Sequence, residues 1–254
     1  MMNYMKSEFY RTVRNRNLLI LVAACTGLLI SAVLVLNYFN QVEAQFPYGN
    51  TRFALSNVYM DMGLFLAVAV VFTGFVHDSE DKQHTMKHSV AFGIKRSTIF
   101  LGRFFSQIIV ATLLYFVLVT LFTVVSFMLL PHSNQGELGI LIRVSAGSIT
   151  CLFASIAIAH CFLIVSESEM MAYLKAFSIL FIIPDICNLI GHKVDFIKKL
   201  TVIFPVNIIN SYSPLVTGEG NVTIEIIKSL LIGLIWVIVF LVLGVAKFNK
   251  KEVK

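Results

Sequence analysis

Between Arg16 and Glu43 the chain carries no charged residue, and no other feature constrains its fold as strongly. An apolar run of about 18 residues or more leaves no polar face for water. At about 1.5 Å of rise per residue it matches the roughly 30 Å hydrocarbon core of a bilayer. The pattern recurs down the chain. Spans are expected from approximately Leu18 to Phe39, and from Val58 to Val76 with Asp61 near one end. Others follow from Phe104 to Leu130, between Arg143 and Glu167, from Met171 to Ile190, and between Lys228 and Lys247. The third is long for the hydrocarbon and should tilt or overshoot it. These runs specify an all-α polytopic membrane protein with six transmembrane helices, because backbone groups in lipid must be satisfied within the segment.

Composition excludes the soluble classes. Of 254 residues, 57% are hydrophobic and 13% charged, whereas a soluble domain has about 25% charged residues to cover its core. A soluble enzyme is excluded. The net charge of +6 has no basic, aromatic-interleaved soluble face to carry it, so no nucleic-acid partner is expected. The first run exceeds the hydrophobic region of a signal peptide and has no Ala-x-Ala-like site after it, which reads as a retained span. Cys25, Cys151, Cys161 and Cys187 lie inside apolar runs without metal-like spacing. They read as small core hydrophobes.

The basic residues orient the spans. With the N-terminus inside, fourteen of the twenty Lys and Arg fall on the inner side, leaving Arg52, Arg143, Lys193, Lys198, Lys199 and Lys228 outside. The positive-inside rule then places both termini in the cytoplasm of a cell with its lipid bilayer as the main partner. Residues 1–17 form a separate unit. Met2, Met5, Phe9 and Val13 share one helical stripe, with Ser7, Arg11 and Arg14 opposite. That spacing describes an amphipathic helix in the membrane interface; a disordered basic leader is the alternative. Residues 18–254 make a single six-span domain.

Two connections stand out. The inner loop 77–103 opens with the acidic cluster Asp78, Glu80 and Asp81, passes Lys82 and Lys87, and breaks at Gly93. Acidic residues suit a helix N-terminus, and Ser97 is placed to cap the helix that becomes the third span. A short helix tied at both ends to spans is a mechanical handle; a solvated turn is the other reading. The outer segment 191–223 is too apolar for a plain linker, with Phe196, Leu200, Ile203, Phe204 and Ile208 among its residues. Short re-entrant helices broken at Pro205 and Pro214 would satisfy both side chains and backbone.

Catalytic motifs are missing from the sequence. There is no phosphate-binding loop, no His-Glu-x-x-His and no Gly-x-Ser-x-Gly, so the chain is not expected to be an enzyme or to hold a cofactor. His84 and His88 are spaced as two metal ligands but have no third, and read as surface histidines. His160 reads as a hydrogen-bonded interior residue. Asp185 is open to two readings. Pro184 should kink or end the helix before it and place it near outer water as a cap or pair, or it is a pathway or outer-gate carboxylate. An intramembrane enzyme built on Asp185 or His160 would require a second catalytic group at matching depth, which the sequence does not offer.

The residues Glu80, His84-Thr85, Lys87, Gly93-Ile94-Lys95-Arg96, Ile99 and Gly102-Arg103, together with the six-span layout, resemble the membrane subunit of a type-2 ATP-binding-cassette exporter. The family pattern has Gly before the Thr and a Pro ahead of the third span; here His84 and Gly93 stand at or near those places. The resemblance implies an inner coupling helix whose ATPase-coupling residues are Glu80, Thr85, Met86, Lys87, Gly93, Lys95 and Arg96. It also implies cytoplasmic ATPase subunits, a second permease chain in a homodimer or heterodimer, and a peptide or hydrophobic substrate. Compact chains of this kind are similar to permeases that export, or give immunity to, antimicrobial peptides in the plasma membrane of bacteria. A non-transporting sensory or assembly membrane protein is the alternative, and it implies no ATPase partner.

Overall fold

The computed structural model describes residues 2–43, 46–81, 93–132, 136–211 and 222–250. Among them the chain is helical, with no strand. Helix α1 (Met2–Val13) precedes α2 (Arg16–Val42), α3 (Thr51–Met60) and α4 (Met62–Asp81). Then come α5 (Arg96–Leu129), α6 (Gly136–Val165), α7 (Glu169–Phe177) and α8 (Ile183–Gly191). The short α9 (Asp195–Thr201) and α10 (Pro205–Asn210) lead to the last long helix, α11 (Val222–Lys250). Among the described residues five helical stretches are long and apolar enough to cross a membrane, or six if the bent pair α3–α4 counts as one span.

Large apolar side chains cover the outside. Leu28 is 71% exposed, Met128 78% and Leu231 58%, while Thr73, Ser155, His160 and Ser229 are fully buried. A surface of this kind calls for lipid.

Helix α6 is the most buried of the spans and packs most extensively against α11. Small residues permit the approach. The Thr150 hydroxyl donates to the Ser229 carbonyl at 3.0 Å, and the Ser229 hydroxyl donates back to the Gly147 carbonyl. A Cβ at Gly233 would lie 2.6 Å from the Thr150 carbonyl carbon. In lipid, where burying apolar surface gives helices little reason to associate, such close packing and interhelical hydrogen bonding supply the attraction.

The second span departs from the sequence expectation. Instead of one helix from Val58 to Val76 with Asp61 near its end, α3 and α4 meet at Asp61 with a bend of 50°. The cause lies at the start of α3, where the Asn50 side chain accepts from the Phe53 N–H at 2.9 Å and begins the helix well before Val58. Asp61 is the residue between the two helices.

The fifth span is continuous through Pro184. The backbone widens into a π turn at Ser178–Ile182, and the Ile183 N–H reaches the Ser178 carbonyl. The extra residue in the turn accommodates a proline that has no N–H and whose ring would crowd the preceding turn. Helix α8 then runs on to Gly191, so Pro184 does not end the span.

Helices α9 and α10 fold back on the bundle. Asn188 and Asn207 exchange amide hydrogen bonds at 2.9 and 3.2 Å, and the Trp236 indole donates to the Ile203 carbonyl at 2.8 Å. Val206, Ile208 and Ile209 are buried while Phe196 is exposed. The expected break at Pro205 separates α9 from α10, and Pro214 lies outside the described residues.

Both described termini lie at the same end of the bundle, at the start of α5. The Arg96 guanidinium reaches the Phe248 and Asn249 carbonyls at 3.5 and 3.4 Å, where a cation suits the last turn of a helix. Helix α1 packs a few residues further along α5. We call this the terminal end.

Candidate functional site

The terminal end is where α4 leaves the bundle and α5 returns. Glu80 is on the last turn of α4, and Thr85, Met86 and Lys87 lie outside the described residues. Gly93 is exposed with φ of +79°, a conformation that residues with a Cβ rarely adopt; it turns the chain into α5. Lys95 is exposed and extended ahead of that helix. Arg96 is half-buried on the carbonyl end of α11. Three of the expected coupling residues, Gly93, Lys95 and Arg96, thus sit together at the start of α5.

That start differs from the sequence reading in two respects. Ser97 does not cap it; Lys95 occupies the cap position and no side chain closes it. The helix also begins at Arg96, so Arg103 lies one to two turns inside it and is only 2% exposed. His77, expected at the mouth of the loop, is likewise buried in α4.

Near the start of α5, buried polar residues form a layer. The His160 Nε2 lies 3.1 Å from the Phe100 carbonyl and its Nδ1 lies 3.0 Å from His77 Nε2. Helices α4, α5 and α6 are joined by this chain of contacts. Nearby, the Arg103 Nε donates to the Tyr4 hydroxyl at 3.1 Å, and the Ser106 hydroxyl donates to the Met5 carbonyl at 3.2 Å. Gly102 provides the space, since a Cβ there would lie 2.8 Å from the Tyr4 ring. Burial pushes the Tyr4 phenol up to about 12, although the Arg103 guanidinium pulls the other way.

Helix α1 therefore uses two faces. Tyr4, Glu8 and Thr12 recur every four residues; Tyr4 meets Arg103 of α5, and Glu8 and Thr12 are buried, Glu8 paired with Arg11. Phe9 and Val13, from the expected apolar stripe, are exposed. The sequence signal for the inward face was the Tyr-x-x-x-Glu-x-x-x-Thr spacing. It reads as a solvated face until a partner helix is known.

Asp185 is on the first turn of α8 and exposed, while Pro184 beside it is buried. It lies six residues before the end of the helix, about 9 Å along its axis. The structure does not bring it to the terminal end with the other expected site residues. Among the described residues no three His, Cys, Asp or Glu side chains group as a metal site.

Among the described residues this end is thus held together by polar ties between α1, α4, α5 and α6. A family model described as ABC-2 family transporter protein matches residues 4–185, well over half of the chain. The chain belongs to this family, and is a multi-pass membrane component of an ABC-2 type transporter. Permeases of the family carry no ATPase domain and generally pair with ATPase subunits. Among curated proteins no match is found.

Proposed function

We propose that the chain forms the translocation pathway of an exporter driven by separate cytoplasmic ATPase subunits, with a second permease chain completing the pathway. The observation that carries this reading is the family match from residue 4 to 185, a stretch that contains most of α1, the bent α3–α4 pair and the α4–α5 junction. Loop 77–103 would be the docking element. A body bound between Glu80 and Gly93 pulls on α4 and α5 together, and α5, with 34 residues, is a lever about 50 Å long. The His77–His160–Phe100 contacts would pass that pull to α6. On this reading α1 lies at the cytoplasmic interface, α9 and α10 dip into the outer leaflet, and the protein resides in a bacterial plasma membrane with both termini inside. Amphipathic or antimicrobial peptides are the proposed substrates, by export or as immunity.

Affinity purification of the tagged chain in mild detergent, followed by an ATPase assay on the eluate, tests the proposal. The expected result is a co-purifying subunit with a phosphate-binding loop and ATP hydrolysis that amphipathic peptides stimulate. A chain that purifies intact with no ATPase from its own host membranes would contradict it.

A further inference from the structure

The bend at Asp61 opens onto a groove. It has a volume of about 730 Å³ and runs between α2, the α3–α4 junction and α5, lined by Leu28, Val35, Phe53, Leu64 and Phe122 among others. Nearly all of its wall is apolar. Among the described residues Asp61 is the one charged residue lining it, with Asn57 and Ser31 as polar neighbours and no Lys, Arg or His. Toward the terminal end a smaller cavity lined by Leu21, Val22 and Phe72 shares Cys25, Phe65, Val68 and Leu118 with it.

Asp61 is placed for a ligand. Its backbone is satisfied across the bend, with its N–H on the Asn57 carbonyl and its carbonyl accepting from the Leu64 N–H, both at 2.9 Å. Its side chain is exposed and makes no hydrogen bond or ion pair among the described residues. Ten residues of α3 precede it, and the twenty residues of α4 that follow rise about 30 Å, so Asp61 lies toward one end of the apolar core. A carboxylate against so apolar a wall is costly unless a cation or water meets it, and ionisable groups within spans mark pathways. Broken helices are tolerated in a membrane where they line such cavities.

We infer that this groove binds cationic amphiphiles, the apolar walls of α2 and α5 taking the hydrophobic body and the Asp61 carboxylate taking the positive charge. The inference rests on the transporter reading and specifies the class of its substrate. The volume lies in the range of ordinary small-molecule sites. It accommodates one bulky organic cation, or a few side chains of a cationic peptide. The wall supplies contact area and little orientation, so discrimination falls on charge.

Tetraphenylphosphonium and tetraphenylborate, nearly identical in shape and opposite in charge, provide the test. Their equilibrium binding is measured on the purified full-length chain in lipid nanodiscs, with no ATPase present. Wild type should bind the phosphonium in preference to the borate. Asp61→Asn should weaken phosphonium binding by about tenfold and leave borate binding equal or tighter, while Asp61→Glu should retain the preference. Ala32→Trp, which fills the groove from α2, should weaken both ions. Equal phosphonium binding by wild type and Asp61→Asn, or no binding by wild type, would overturn the inference. So would an Asp61→Asn protein that binds normally but loses its dimer, since the carboxylate would then face a second copy. Failure here leaves the co-purifying ATPase of the preceding test unaffected, so the two readings fail separately.

Discussion

His77 on α4 and His160 on α6 meet inside the bundle with 3.0 Å between Nε2 and Nδ1. Because His160 donates through Nε2 to the Phe100 carbonyl, its Nδ1 must accept, and the proton between the rings belongs to His77 Nε2. The Phe100 carbonyl thus fixes the tautomer of His160, and His160 fixes that of His77. Removing one partner leaves a buried donor or acceptor unmade, a loss of about 1–3 kcal/mol. His77→Ala and His160→Ala should each lower the thermal stability of the purified protein. The double variant should lose less than the sum, with a coupling of about 1 kcal/mol. Additive losses in that cycle would show that the rings do not depend on one another.

The docking of α1 should depend on alkaline pH through Tyr4. Its folded phenol stays protonated up to about 12, against about 10 in an unfolded chain. Stability from this group is therefore fully present below about pH 10 and is lost as pH rises toward 12, because the unfolded chain releases the proton first. Tyr4→Phe should remove that part of the pH dependence and lose the bond from Arg103. Unfolding midpoints of the two proteins between pH 9 and 12 check it; parallel curves would refute the assignment.

Gly233 and Gly27 offer a matched contrast. A Cβ at Gly233 would press on Thr150, whereas at Gly27 nothing lies within 4 Å. Gly233→Ala should force α11 away from α6, costing about 1–3 kcal/mol. Gly27→Ala should be neutral or slightly stabilising through helix propensity. The yield and melting temperature of detergent-purified protein report both; a tolerated alanine at 233 would mean that the helices pack less closely.

The spans were legible because absence of charge is a strong signal: the runs after Arg16, Arg103 and Lys228 each become part of a long helix. What the sequence concealed depends on tertiary partners. Asp61 lies three residues beyond an apparent span start at Val58, and only the cap at Asn50 shows that the helix begins earlier. His77 borders the acidic cluster and reads as loop, yet His160, 83 positions away, draws it inside. The inward face of α1 needed Gly102, and passage through Pro184 needed a π turn that no residue pattern announces. Of the expected coupling residues, Gly93 was the most readable, because its positive φ is what a helix-breaking glycine suggests.

Orientation rests on the distribution of basic residues. Cysteines introduced at Ser133 and Gly220 should react with an impermeant maleimide added to intact cells, and one at Ser79 should not. Replacement of the four native cysteines clears the background. Labelling at position 79 before lysis would invert the topology.

Coupling through the α4–α5 loop is the central claim, and the double variant Glu80→Lys with Lys87→Glu tests it most directly. Like charges set against a docking surface cost several kcal/mol, whereas a solvated turn tolerates the same change within about 0.5 kcal/mol. The measurement is the amount of ATPase subunit that co-purifies with the variant, with membrane insertion verified in the same preparation. The expected result is a normally inserted chain that has lost most of its ATPase and, in parallel, its peptide-stimulated hydrolysis. A variant that inserts, retains its ATPase and exports at the wild-type rate would contradict the account.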